Sequence, residues 1–219
     1  MAELDQAYIR NMEDVLAVYE KPYNPTQPVV CVDERPVALH ADVRPPRPAK
    51  PGKPAKQDNE YERRGTANIF GAVESKTGRH FTTVTPDRSG AEFAHLVKHI
   101  VAQYPGAQTI HLVMDNLNSH TRQSLVKCFG EERGGDLWKR LTVHYTPKHG
   151  SWLNQAEIEL SLAARQCLGK RRFPDLKTLQ REIKAWNRKA NQKRTKINWR
   201  FTRKKARKLF RYKKPRTSG

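Results

Sequence analysis

A chain of 219 residues with 42 Lys plus Arg against 22 Asp plus Glu carries a formal charge of +20, and 37% of its residues are hydrophobic. That length suits one domain with a full core, or a core domain with an extension, and the positive excess points to an anionic partner, most commonly nucleic acid. A membrane protein is excluded, because no stretch approaches the ~18 uninterrupted apolar residues of a spanning helix. Met1 to Glu20 carries acids and no apolar run, so it is not a signal peptide. Cys31, Cys128 and Cys167 form no C-x-x-C pair. They read as reduced cysteines of an intracellular, cytoplasmic protein.

Residues 5–20 read as a short helix with Tyr8, Ile9, Met12, Val15, Leu16 and Tyr19 on one side, stopped by Pro22, Pro25 and Pro28. Val29 to Val32 is a continuous apolar run ending in Asp33-Glu34, the pattern of a buried central strand. A linker rich in Pro and bases follows, from Pro36 through Pro54, which should be extended and excluded from a sheet interior. Ala67 to Glu74 and His80 to Thr85 flank Ser75-Lys76-Thr77-Gly78 as a hairpin. Ser89-Gly90-Ala91-Glu92 is a capping box before the amphipathic run Phe93, Leu96, Val97, Ile100 and Val101. Thr109 to Met114 is a second apolar strand and again ends in an acid, Asp115.

A helix is predicted over 121–129, with Asn118 or Ser119 able to cap it, then a polar stretch over 130–140 and a strand at 141–145. After Pro147 a helix runs from about Trp152 to Leu168. The final quarter differs in composition. Residues 169–219 hold 21 Lys/Arg and two acids, a net of +19, so the first 168 residues are almost neutral. The basic segment still keeps pattern: Asp175 caps a helix carrying Leu176, Leu179, Ile183 and Trp186, and a second short helix near 202–211 precedes a frayed end. This order of strands and helices describes an α/β fold, a mixed sheet with helices against it.

Two strands terminate in carboxylates, Asp33 and Asp115, and functional groups gather at the carboxyl ends of such strands. On the helix after 152, Leu153, Leu160, Ala164 and Leu168 form one stripe that includes Glu157, whereas Glu159 is expected on the solvated side. A carboxylate in a core-facing stripe is costly unless paired or bound to a cation. An acid that ends a strand is often only a turn residue, so no single one of these decides the matter. Three oxygen-donor acids converging with open positions suit Mg²⁺ or Mn²⁺. Two such ions would activate a nucleophile and stabilise the leaving oxygen of a phosphodiester. His144 and His149 have no cysteine pair or H-x-x-x-H partner and do not read as zinc ligands. Trp152, Trp186 and Trp199 read as core anchors, not base-stacking platforms.

Cys31-Val32-Asp33-Glu34, Met114-Asp115-Asn116-Leu117-Asn118-Ser119-His120 and the run from Tyr145 to Glu157 (YTPKHGSWLNQAE) resemble the three catalytic blocks of mariner-like transposases, nearest the bacterial insertion-sequence-six-thirty branch with its DDE superfamily endonuclease domain. The resemblance covers nearly the whole chain, including Asn198-Trp199-Arg200-Phe201-Thr202. It implies an RNase H-like fold, a five-stranded mixed sheet flanked by helices, with a basic helical extension at the C-terminus. It also implies metal-dependent phosphodiester hydrolysis and strand transfer, with Asp33, Asp115 and Glu157 as catalytic residues and metal ligands. Asn116, His120 and His149 would be active-site neighbours.

On that resemblance residues 1–28 form an N-terminal helix and linker, 29–168 the catalytic domain, and 169–219 the extension, with a clamp-like loop at 41–65. Arg44, Arg47, Lys50, Lys53, Lys148, Lys170, Arg171, Arg172, Arg203, Lys204 and Lys205 are expected to face DNA. The partners implied are double-stranded DNA (transposon ends and a TA-containing target), a second copy of the chain on that DNA, and a separate helix-turn-helix polypeptide. The localisation implied is the bacterial cytoplasm, with association to the nucleoid through DNA.

Two departures stand out. The 41 residues between Asp115 and Glu157 exceed the usual spacing of mariner relatives, the extra length falling in 130–140. The sequence also starts just before the first catalytic strand, without the family's helix-turn-helix domain. An inactive remnant that only binds DNA, or a structure-specific nuclease of the same fold, are the alternatives.

Overall fold

The computed structural model describes residues 5–213, so the frayed end expected over 214–219 lies outside the described residues. The first helix, α1 (Gln6–Glu20), starts where the Asp5 side chain accepts the Tyr8 N–H, and it buries the predicted apolar face from Tyr8 to Tyr19. Strands β1 (Val29–Asp42), β2 (Tyr61–Glu74), β3 (Arg79–His80), β4 (Thr83–Thr85), β5 (Ile110–Met114) and β6 (Leu141–Tyr145) form one mixed sheet in the order β3-β2-β1-β5-β6, with β4 also on β2. β1 runs antiparallel to β2 and parallel to β5, and β5 runs parallel to β6. The count is six and not five because the strand predicted over 80–85 is broken into β3 and β4, both paired with β2.

Strand alternation assigns the two faces. Val30, Val32, Ile110, Leu112 and Met114 pack beneath α2 (Gly90–Ala102) with Phe93, Leu96, Val97 and Ile100. Val29, Cys31, Val73 and Val113 point the other way, under α1. α2 has the predicted cap, the Ser89 hydroxyl accepting the Glu92 N–H.

Three expectations are corrected. β1 does not stop near Asp33 but continues through Pro36 to Asp42. Beyond Cys31 it is paired on one side only, where a residue without an N–H is tolerated. The polar stretch 130–140 is not irregular but forms α4 (Glu131–Lys139), packed on α3 (Arg122–Phe129). Gly134 and Gly135 are poor helix formers, yet a Cβ on Gly134 would lie 2.6 Å from the Leu125 backbone. The glycine lets the two helices approach. Thirdly, neither Asn118 nor Ser119 caps α3; Thr121 holds that position without a side-chain cap bond.

After a 3-10 turn at Ser151–Leu153 come α5 (Ala156–Ala163) and a π turn at Ala164–Leu168. Asp175 caps α6 (Leu176–Lys193) by accepting the Thr178 N–H, and Thr202 caps α7 (Arg203–Phe210). α6 is not a loose tail. Leu179, Ile183 and Trp186 are buried with Leu160, Ala163 and Ile69, and Asn191 both accepts from the His80 N–H and donates to its carbonyl, closing the edge at β3. α7 docks on α1 through Arg207–Glu13 and Arg203–Glu20 ion pairs, and Phe201 and Phe210 pack around Trp152. Among the described residues no helix is long and apolar enough to cross a membrane. Cys31 and Cys167 are buried and Cys128 half-buried, all free.

Candidate active site

The parallel register pairs Val29 with His111 and Cys31 with Val113. Carried two residues further, it sets Asp33 opposite Asp115 on the face that bears α1, where β5 has ended and the sheet steps down. The third block is tied to this step by two backbone-directed bonds. The Thr146 N–H donates to the Met114 carbonyl at 2.9 Å, and the buried Asn154 amide donates to the Val32 carbonyl at 2.7 Å. Asn154 also accepts the Ala156 N–H, which starts α5 at a fixed distance from the strand.

That start decides which acid of α5 is buried. Counted from Ala156, the buried positions are Ala156, Glu159, Leu160 and Ala163, a single helical stripe. Glu159 is therefore 4% exposed while Glu157 is exposed, the reverse of the reading from the sequence. The break at Asn154 takes Leu153 out of the helical phase, so a projection begun there is rotated. Glu159 lies 3.2 Å from His80; burial pushes its carboxyl up to about 7 and pulls the His80 imidazole down to about 4, so a neutral imidazole faces a carboxyl that holds its proton into the neutral range.

Asp33, Asp115 and Glu157 share one electrostatic neighbourhood. Burial raises Asp33 to about 7, opposed by the Glu34 N–H at 2.9 Å and reinforced by the charges of Glu34, Asp115 and Glu157. Behind Asp115 sits His120, 1% exposed and stacked on Phe93 with ring centroids 4.5 Å apart. Its Nδ1 is 2.7 Å from Asp115 Oδ1 and 3.3 Å from the Asp115 carbonyl, and its Nε2 is 3.5 Å from Glu34 Oε2. Burial opposes the imidazolium, but the two carboxylates outweigh it and raise the His120 pKa. Burial likewise raises Glu34, against His120 and Arg88. Among the described residues, Glu34, Asp115 and His120 are the one group whose potential metal-ligating atoms all lie within 4.8 Å of one another. Glu34 is the member that sequence reasoning passed over, although it follows directly on the first strand's acid.

A cleft of about 750 Å³ opens beside Asp115, bordered by Asn116, Thr146, Lys148 and His149 and, on the far side, by Tyr8 and Asn11 of α1. Pro147 to Gly150 is a tight turn closed by the Gly150 N–H to Pro147 carbonyl bond, with His149 held at φ +62°. A Cβ on Gly150 would meet Pro147 Cγ at 2.5 Å, so only glycine closes this turn. His144 is no part of this site: it accepts no role near the acids and links Asp14, at 2.7 Å, to His111, at 2.9 Å.

The cations expected to face DNA divide. Arg44, Arg47, Lys50 and Lys53 are exposed on the segment between β1 and β2, and Lys148, Lys170, Lys204 and Lys205 are exposed as well. Arg44, although exposed, lies 3.2 Å from Asp58, and three others are engaged within the chain: Arg171 with Glu182, Arg172 with Asp42, and Arg203 with Glu20. Of the three tryptophans read as core anchors, Trp186 is buried, Trp199 packs edge-on to Tyr19, and Trp152 stays 39% exposed while donating to Tyr8 Oη at 3.3 Å.

A family model described as "DDE superfamily endonuclease" matches residues 28–180. The chain belongs to that family. No curated protein matches it. Among solved structures it is similar to a Mos1 mariner paired-end complex with Mn, at 15% identity and a TM-score of 0.54 over 87% of this chain and 59% of that one. A pre-cleavage Mos1 transpososome gives 15% identity and 0.54 over 90% and 65%, and a Mos1 strand transfer complex 14% and 0.55 over 83% and 53%. At such identities the likeness shows the fold, which is RNase H-like. The chain spans about three fifths of the Mos1 chains it matches.

Proposed function

We propose that this endonuclease domain is the catalytic part of a mariner-like DNA transposase, of the insertion-sequence-six-thirty branch, that hydrolyses phosphodiesters at element ends and transfers the strands to target DNA. The observation that supports this reading best is the convergence of Asp33 and Asp115 on neighbouring parallel strands with Glu157 on a helix start pinned to Val32 by Asn154. Residues 29–168 carry the catalytic work in this reading, residues 41–65 a clamp-like arm, and residues 169–219 a basic extension.

The donor set suits hard divalent ions, Mg²⁺ or Mn²⁺ as a pair. Asp115 Oδ1 and Glu34 Oε2 are buried with the His120 imidazole as their polar neighbour, at 2.7 and 3.5 Å, and Asp33 is buried and crowded by like charge. Asp33, Asp115 and Glu157 would hold the ions, which when bound supply activation of water or a 3′-hydroxyl and stabilisation of the leaving oxygen. The protein's own contribution is positional. His120 and Glu34 brace Asp115 from behind, Asn154 fixes the α5 start, and Lys148 and His149 border the cleft where a phosphate backbone would lie. Transposon ends, a TA-containing target, a second copy of the chain and a separate helix-turn-helix polypeptide are the partners this reading implies.

The test is nicking and strand joining on labelled pre-cleaved element ends with Mg²⁺ or Mn²⁺. Asp33→Asn, Asp115→Asn and Glu157→Gln should each abolish both reactions, while Glu159→Gln, in the core stripe, should keep them. Equal background from wild type and all three variants would refute the active enzyme. Nicking without joining would assign a nuclease instead.

A further inference from the structure

The segment between β1 and β2 is a built hairpin. Arg47 and Lys56 exchange both backbone hydrogen bonds, at 2.8 and 3.0 Å, and Lys50 and Lys53 do the same. Pro51-Gly52 turns the tip, with Gly52 at φ +73°. The bonded residues are the non-proline ones, so Pro45, Pro46, Pro48 and Pro54 cost no ladder bond and blunt the free edges. Residues 43–57 hold five bases and no acid, and the two bridges set like charges across from each other. That arrangement is destabilising by itself. A polyanion lying along the arm would relieve it.

Such an arm is useful only if its root is fixed, and the root is where Arg172 enters. Its Nη1 donates to Asp42 Oδ1 at 2.7 Å and to the Glu60 carbonyl at 3.1 Å. Its Nη2 donates to the carbonyls of Asp58 at 2.8 Å and Asn59 at 3.4 Å. The guanidinium also lies over the Tyr61 ring, 5.2 Å from its centroid, and its side chain is only 17% exposed. One residue on, the Phe173 carbonyl accepts the His40 N–H at 2.9 Å, holding this segment against β1. Both rails of the arm are thus gripped where they leave the sheet, by the residues that connect α5 to α6.

We propose that Arg172 is a positioning residue that locks the arm's direction relative to α5 and the cleft, and that it is not itself a DNA contact. The planar fork reaches a carboxylate and three carbonyls at once, which the point charge of a lysine does not. This inference rests on the DNA-processing reading only for the purpose of the arm; the anchoring is separable from it.

The experiment places spin labels at Ala49→Cys, on the arm, and Ser161→Cys, on α5, in a Cys128→Ser background of the full chain, and measures the distance distribution. Wild type should give one narrow distribution, and Arg172→Ala and Arg172→Lys should both broaden it with melting temperatures near wild type. A distribution in Arg172→Ala as narrow as wild type overturns the proposal. Salt titration of DNA binding gives the second readout, each lost phosphate contact lowering the slope by about 0.9. Loss of the arm's grip predicts a fall of roughly two or more in both variants. A fall of about one in Arg172→Ala that Arg172→Lys restores would identify a plain phosphate contact and overturn it equally. Broadened distances with an unchanged slope would keep the anchor and refute the arm's role on DNA.

Discussion

Replacing Asp33 by Asn should stabilise the protein in the absence of divalent ions, and only above mildly acidic pH. Asp33 is mostly buried, and its pKa is raised from 3.8 to about 7. The native state therefore keeps a proton that the unfolded chain has released, so stability falls as pH rises from about 4 to 7, and the deficit is complete above 7. Three units at 1.36 kcal/mol each give about 4 kcal/mol at pH 8, vanishing below pH 4. Asn cannot ionise, yet its Oδ1 still accepts the Glu34 N–H, so the variant escapes the cost without losing that bond. For a chain of this size 4 kcal/mol is roughly 10 °C in melting temperature. The assay is thermal unfolding of both proteins in EDTA from pH 4 to 8, repeated with millimolar Mn²⁺. The gap should open with pH in EDTA and shrink with the metal, because ion binding stabilises wild type and not the variant. Parallel pH profiles in EDTA would show that Asp33 is raised neither by burial nor by its neighbours' charge and would remove a main support for the shared site.

Gly71→Ala should cost about 1–3 kcal/mol, because the new Cβ would sit 2.8 Å from Leu160 and push α5 off β2; Mn²⁺ affinity by calorimetry should fall with it, since the same helix carries Glu157. Asn154→Ala strips a buried carbonyl of its donor and α5 of its first acceptor, for an expected loss of about 2–3 kcal/mol in denaturant unfolding. His80 and His111 are held neutral to about 4 by burial. The unfolded chain takes up those protons near 6.5, so stability should drop as pH falls from 6.5 to 4, and His111→Gln should flatten that limb in pH-dependent melting.

Much of the fold was legible because strongly patterned segments leave few options. The apolar runs at Val29–Val32 and Thr109–Met114, the capping box at Ser89 and the stripe from Leu176 to Trp186 all fold as read. The errors share a cause, which is that propensity is local and packing is not. Gly134 in α4 looks like a helix breaker until α3 lies against it, and Pro36 looks like the end of a strand until half of that strand proves to be an edge. Glu157 and Glu159 were exchanged because one side-chain bond, Asn154 to Val32, resets the helix by a few residues, and a bond spanning 122 positions leaves no periodicity to read.

Charge divides in the same way. The sequence by itself determined that +19 of the +20 lies after residue 168 and that acids follow two apolar strands. It determined the residue types at the site, because chemistry requires carboxylates and a core requires apolar runs. Only the tertiary structure decided what each charge does. Arg203 and Arg207 hold α7 on α1, Arg172 grips the root of the arm, and Glu34 joins His120 and Asp115 from the next position along β1. A charge's partner is set by distances between elements far apart in the chain. Composition counts the charges, and the fold pairs them.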